Sequence, residues 1–140
     1  MIRHYQESNE EQALKVSLLS FGYKFGVPVD VDLVFDVRFL RNPHFVPDLQ
    51  PLTGEYLEIQ QFVLENQEGK DFLGHLRDLF AFLLPLFERE QRNYLTIAFG
   101  CTGGRHRSVA MVLSMKNILK TLGYDVTLRH REIKSEQVET

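Results

Sequence analysis

Apolar and polar positions switch between two periods along this chain of 140 residues. "LKVSLLSF" (14–21) and "VDLVFDVRF" (31–39) are short and rich in β-branched and aromatic residues, which predicts two strands. "EYLEIQQFVLEN" (55–66) and "KDFLGHLRDLFAFLLPLFEREQR" (70–92) have helical spacing. In the second, Phe72, Leu76, Leu79, Phe80, Leu83 and Phe87 recur at steps of three and four. Phe82 and Leu86 widen that stripe beyond one face, which points to deep burial, with a self-association surface as the alternative. "YLTIAFG" (94–100) is a continuous apolar run, the kind buried inside a parallel sheet. "RSVAMVLSMKNILKTLG" (107–123) predicts a helix with Gly123 as its C-cap, and "YDVTLRHRE" (124–132) a last strand. Residues 40–54 carry Pro43, Pro47 and Pro51 and fit neither a helix nor a central strand. They form a long, stiff loop, and loops of that length are usually functional.

The order β-β-α-α-β-α-β predicts an α/β fold, with a mixed or mostly parallel four-stranded sheet flanked by helices. Such a fold places its ligand crevice beyond the carboxyl ends of the strands. The proline loop leaves the second strand there and a glycine loop leaves the third, so the two are expected to meet. The domain is expected to span 14–132, with a flexible N-terminus (1–13) and a flexible acidic tail (133–140).

Composition narrows the function classes. The formal net charge of −3 supplies no global positive field for nucleic acid or anionic membrane, so any such contact must come from a local patch. One cysteine forms no internal disulfide, as a reducing cytoplasm would allow. The first residues show no apolar secretion segment, and the longest apolar run, 79–87, is too short to cross a membrane. The expectation is therefore a cytoplasmic domain without membrane contact. His4, His44, His75, His106 and His130 show no ligand spacing, and neither a metal nor a cofactor is expected.

The chemistry concentrates in "GCTGGRHRSV" (100–109). A strand, a glycine turn and a helix N-terminus make an anion site: amides point outward, the helix dipole adds positive potential, and glycines let the ligand approach the main chain. Thr102 and Ser108 add hydroxyls, and Arg107, read as a solvated side chain, adds a fork suited to phosphate. No GxxxxGKS/T motif is present. Cys101, five residues, then Arg107 and Ser108 also match the C-x5-R-S/T loop of cysteine-dependent phosphatases, in which a thiolate attacks phosphorus while the arginine holds its oxygens. Gly100 stands where such enzymes usually place a histidine. The binding loop is the main reading, and the phosphatase, with Cys101 and Arg107 as its catalytic residues, the alternative.

"SFGYKFGVP" (20–28), "FDVRFLRNPHFVPDLQPLTG" (35–54), "GCTGGRHRSV" (100–109) and "RHRE" (129–132) occur in the order found in the RapZ C-terminal domain family, which residues 14–132 resemble. The resemblance implies an RNase-adapter domain that binds glucosamine-6-phosphate and small regulatory RNA, forms homo-oligomers, and contacts a ribonuclease and a two-component signalling system. The family's nucleotide-binding P-loop domain has no counterpart in these residues. The implied reading is a stand-alone sensor or adaptor. Thr102, Gly103, Gly104, His106, Arg107 and Ser108 would hold phosphate, and His44 would close over the sugar. Arg38 and Asn42 would brace the proline loop or donate to ligand hydroxyls, and Asp36 would pair with an arginine. Lys24, Arg105, Arg129 and Arg131 are the candidate RNA contacts, with Arg129 and Arg131 on one strand face and His130 on the other.

Overall fold

A computed structural model describes residues 13–133. Of the flexible segments expected at 1–13 and 133–140, residues 1–12 and 134–140 lie outside the described residues. Four strands, β1 (Lys15–Gly22), β2 (Leu33–Asp36), β3 (Tyr94–Cys101) and β4 (Asp125–His130), form one sheet in the order β2-β3-β1-β4. Every pairing is parallel, so the sheet is wholly and not partly so. The apolar runs of β1 and β3 belong to the two central strands, as a buried parallel pair requires.

Three helices, α1 (Leu57–Leu64), α2 (Gln67–Arg89) and α3 (Arg107–Thr121), share a single core with the sheet. α3 packs directly on β1, β3 and β4, while α1 and α2 pack against α3. Phe35 stacks on Phe99 with ring centroids 5.3 Å apart and meets Phe80 of α2 edge-on at 5.9 Å. Burying an aromatic of this size contributes about 1.5–3 kcal/mol. Among the described residues, the opposite face of the sheet holds a small cluster of Leu19, Phe21 and Ala98, with Tyr23 and Val31 packed against it.

The second helix begins three residues before its sequence pattern. Asn66 is the reason: its Oδ1 accepts from Gly69 N at 2.9 Å, while its Nδ2 donates to the carbonyls of Phe62 and Val63. One side chain thus closes α1 and caps α2. Pro85 sits exposed inside α2 without ending it. The stripe on α2 is narrower than the sequence suggests. Leu76, Phe80 and Leu84 are buried, whereas Leu79 and Phe82 face solvent, Phe82 at 68% exposure. The C-cap of α3 is Leu122, and the glycine expected there, Gly123, follows it at φ +100°, with Tyr124 N donating to the Leu119 carbonyl.

Candidate anion-binding site

The carboxyl ends of all four strands open onto one cavity of about 540 Å³. Lys24 and Phe25 follow β1, Asn42, His44, Phe45 and Gln50 belong to the proline loop after β2, Cys101 ends β3, and Thr102, Gly103, Arg105, His106 and Arg107 follow it. Glu132 follows β4. The proline and glycine loops meet there, joined by hydrogen bonds. Gly54 N donates to the Arg105 carbonyl at 2.8 Å, and His106 Nε2 donates to the Gln50 carbonyl at 3.0 Å. Lys24 N donates to the Thr102 carbonyl at 3.2 Å, tying in the segment after β1.

Two glycines let the loop take this path. Gly104 has φ +77°, a left-handed conformation, and a Cβ there would meet Gly22 N and Glu132 Cγ, each at 2.5 Å. Gly100 lies beneath the rings of Phe21 and Tyr23, which leave no room for a side chain. The histidine that phosphatase loops place at this position has no space here.

Arg107 is the main departure from expectation. It is not solvated: only 6% of it is exposed. Its Nη1 donates to the carbonyls of Arg38 and, at 3.3 Å, Leu40, so it fastens the start of the proline loop to α3. Nη2 reaches Thr102 Oγ1 at 3.5 Å, and the buried Nε has no partner among the described residues. Asp36 does pair with an arginine, and that arginine is Arg38, held by Nε at 2.9 Å and Nη2 at 2.6 Å. Those bonds hold the Asp36 carboxyl below the usual range. Arg38 also lies over the Tyr23 ring, 4.0 Å from its centroid.

The other sequence-selected residues divide. Thr102, Gly103, Arg105, His106, His44 and Asn42 line the cavity beside Arg107. Gly104, Ser108 and Arg38 support it from behind. Asn42 accepts from His44 N at 3.0 Å, which sets the short turn that carries His44 and Phe45. His106 has its one N–H committed to Gln50, and burial pushes the ring below the ordinary imidazole value, against the raising effect of that bond. Arg129 and Arg131 line a separate groove with Ser17 and Thr127, and Arg131 lies just past the end of β4. Its guanidinium holds Glu132 at 2.7 Å and the Gly26 carbonyl at 2.6 Å. His130 sits on the other face of β4, with Nδ1 2.8 Å from Ser20 Oγ.

Sequence reasoning left out Phe25, Phe45, Gln50 and Glu132. The first two are exposed aromatic residues at the cavity. Cys101 lines it too, but is 2% exposed, with its thiol donating to Ser108 Oγ at 3.3 Å and its sulfur accepting from Ser108 N at 3.4 Å. No group of three or more metal-ligating side chains occurs among the described residues.

The order of the four motifs and their convergence on one cavity have a counterpart in known proteins: the family model for the RapZ C-terminal domain matches residues 14–134. The chain belongs to the RapZ C-terminal domain family. Relatives described as nucleotide-binding proteins include one from Trichlorobacter lovleyi, 48% identical over 96% of this chain and 47% of that protein. Others come from Nitratidesulfovibrio vulgaris, 50% identical over 88% of this chain and 42% of that protein, and Bacillus thuringiensis, 45% over 97% and 46%. The chain spans less than half the length of each. The nucleotide binding in their names is said of proteins about twice as long as this RapZ C-terminal-like domain. Among the described residues no helix is long and apolar enough to cross a membrane.

Proposed function

We propose that this RapZ C-terminal-like domain is a sensor or adaptor that binds a phosphorylated amino sugar, glucosamine-6-phosphate or a close analogue, in the cavity at the strand ends. The observation that carries the reading is Arg107. A guanidinium this buried is costly unless neutralised, and among the described residues Arg107 has no carboxylate partner and one orphaned N–H. A phosphate bound against Thr102, Gly103 and the first turn of α3 supplies the missing charge, with Lys24 and Arg105 adding to the field. A volume of about 540 Å³ suits a ligand of sugar-phosphate size. His44 stands on the far, sugar side, beside Phe45.

Calorimetry at fixed salt with glucosamine-6-phosphate, glucosamine and inorganic phosphate tests this. The phosphorylated sugar should bind best, and truncating His44 should weaken it more than it weakens phosphate. If unphosphorylated glucosamine binds as well as its phosphate, the loop is no anion cradle.

Structured RNA is the second proposed ligand, at exposed Lys24, Arg129 and half-buried Arg105 around the same end of the molecule. Arg131, spent on Glu132 and Gly26, serves there as a brace. Charge reversal at Lys24 and Arg105 should weaken RNA binding across sequences, with log affinity falling by about 0.7–0.9 per phosphate contact for each decade of salt. Exposed Leu79 and Phe82 on α2 support self-association, which sedimentation of a Phe82→Glu variant tests. A ribonuclease or signalling protein as partner of the adaptor, and a cytoplasmic location, belong to the same proposal.

A further inference from the structure

The cavity contains a group that anion binding does not explain. Glu132 lines it together with Lys24, Arg105 and Arg107, and its side chain is only 12% exposed. A carboxylate beside a phosphate site repels the ligand, so its presence there needs a reason of its own.

Part of that reason is structural. Oε2 accepts from Gly22 N at 3.1 Å and from Arg131 Nε at 2.8 Å, with Arg131 Nη2 at 2.7 Å. All of these contacts fall on one oxygen. Oε1 accepts no hydrogen bond among the described residues. Arg131 pairs with Oε2 alone, and Glu132 but not Arg131 lines the cavity. The cavity lining thus combines one carboxylate with the cations Lys24, Arg105 and Arg107.

We propose that Glu132 is the specificity-determining residue of the cavity and receives a cationic group of the ligand on Oε1. The cavity then selects a zwitterion, one anionic group on the glycine loop and one ammonium within a sugar's width of it, over a purely anionic ligand of the same shape. This rests on the anion-site reading above and assigns the second half of the recognition. Gly104 belongs to the device, because a Cβ there would displace Glu132 Cγ.

The test compares glucosamine-6-phosphate with glucose-6-phosphate, which replaces the ammonium by a hydroxyl, and with inorganic phosphate. Each is titrated calorimetrically into wild type and Glu132→Gln. The amide keeps the shape and an oxygen for Gly22 and Arg131, but turns a donor toward the cavity. Wild type should prefer the amino sugar at least about tenfold, as a charge-assisted hydrogen bond implies. Glu132→Gln should erase or invert that preference, and inorganic phosphate should bind the variant at least as tightly as wild type, because the repelling carboxylate is gone. Equal binding of the two sugar phosphates by wild type overturns the proposal and leaves the anion site standing. A preference that survives in Glu132→Gln also overturns it. If none of the three ligands binds, the anion-site reading and this one fall together. Should Glu132→Gln fail to fold, the wild-type ratio alone decides, and N-acetylglucosamine-6-phosphate, whose nitrogen is uncharged, must then bind no better than glucose-6-phosphate.

Discussion

Replacing Arg107 by Ala should damage the fold as well as the site. The side chain fastens the proline loop through the carbonyls of Arg38 and Leu40. Hydrogen bonds from a charged donor contribute about 1.5–3 kcal/mol each, and carbonyls left buried without a partner cost a further 1–3 kcal/mol or so. Relief of the cost of burying the charge itself offsets part of this. We expect a net loss of about 2–4 kcal/mol, which lowers the melting temperature of a domain this size by roughly 10 °C. Arg107→Lys separates the two roles. It retains a charge but cannot span two carbonyls and an anion at once, so it should recover part of the phosphate affinity and little of the stability. Thermal melts of the three proteins, with and without glucosamine-6-phosphate at about 100 times its dissociation constant, read both effects. For wild type that ligand should add about 2.7 kcal/mol of stability. An Arg107→Ala protein that melts within about 3 °C of wild type would refute the expected net loss and show that the two carbonyl bonds do no more than offset the cost of burying the charge. Equal ligand-induced shifts in wild type and Arg107→Ala would remove the guanidinium from the site.

Three further outcomes follow from the geometry. Gly104→Ala should cost about 2 kcal/mol or more and abolish ligand binding, because it combines a left-handed backbone with a collision against Glu132 and Gly22; denaturant titration and calorimetry of the same sample check both. Wild type should not turn over a generic aryl phosphate, and Cys101→Ser should keep ligand affinity within about 1 kcal/mol, since the hydroxyl can take over the contacts to Ser108; hydrolysis abolished by that substitution would instead establish the phosphatase reading. Burial depresses His130, so the fold favours its neutral form; its contribution to stability is complete above the unfolded imidazole value of about 6.5 and is lost as pH falls below it. Denaturation between pH 8 and 5 should therefore show a loss that His130→Gln flattens, and an unchanged slope in that variant would refute the assignment.

Local pattern carried most of the architecture. β1 and β3 were legible because a parallel strand buried on both faces needs an unbroken apolar run, and α3 because its apolar spacing ends at Gly123. The glycine loop was legible as a turn between a strand and a helix, since Gly103 and Gly104 stand between an apolar run and a helical period. What short-range pattern cannot carry is the partner of each polar side chain. Arg107, Arg38 and Arg131 are alike in sequence. Yet Arg107 is buried on the carbonyls of a loop nearly seventy residues away, Arg38 is drawn off by Asp36 and Tyr23, and Arg131 is spent on Glu132 and Gly26. Asn66 is the same case at helix scale: its two-sided cap, not the apolar period, sets where α2 begins. Glu132 was invisible for the same reason. Adjacent to its own arginine it reads as a solvated pair, and only the parallel return of β4 beside β1 brings it against Gly22 and into the cavity, 110 residues from the amide it accepts from. The sequence by itself determined the strands, helices and cationic loop, because propensity and apolar period act over a few residues. Only the tertiary structure decided which charges are spent and which line the cavity, because burial and pairing depend on what the fold brings alongside.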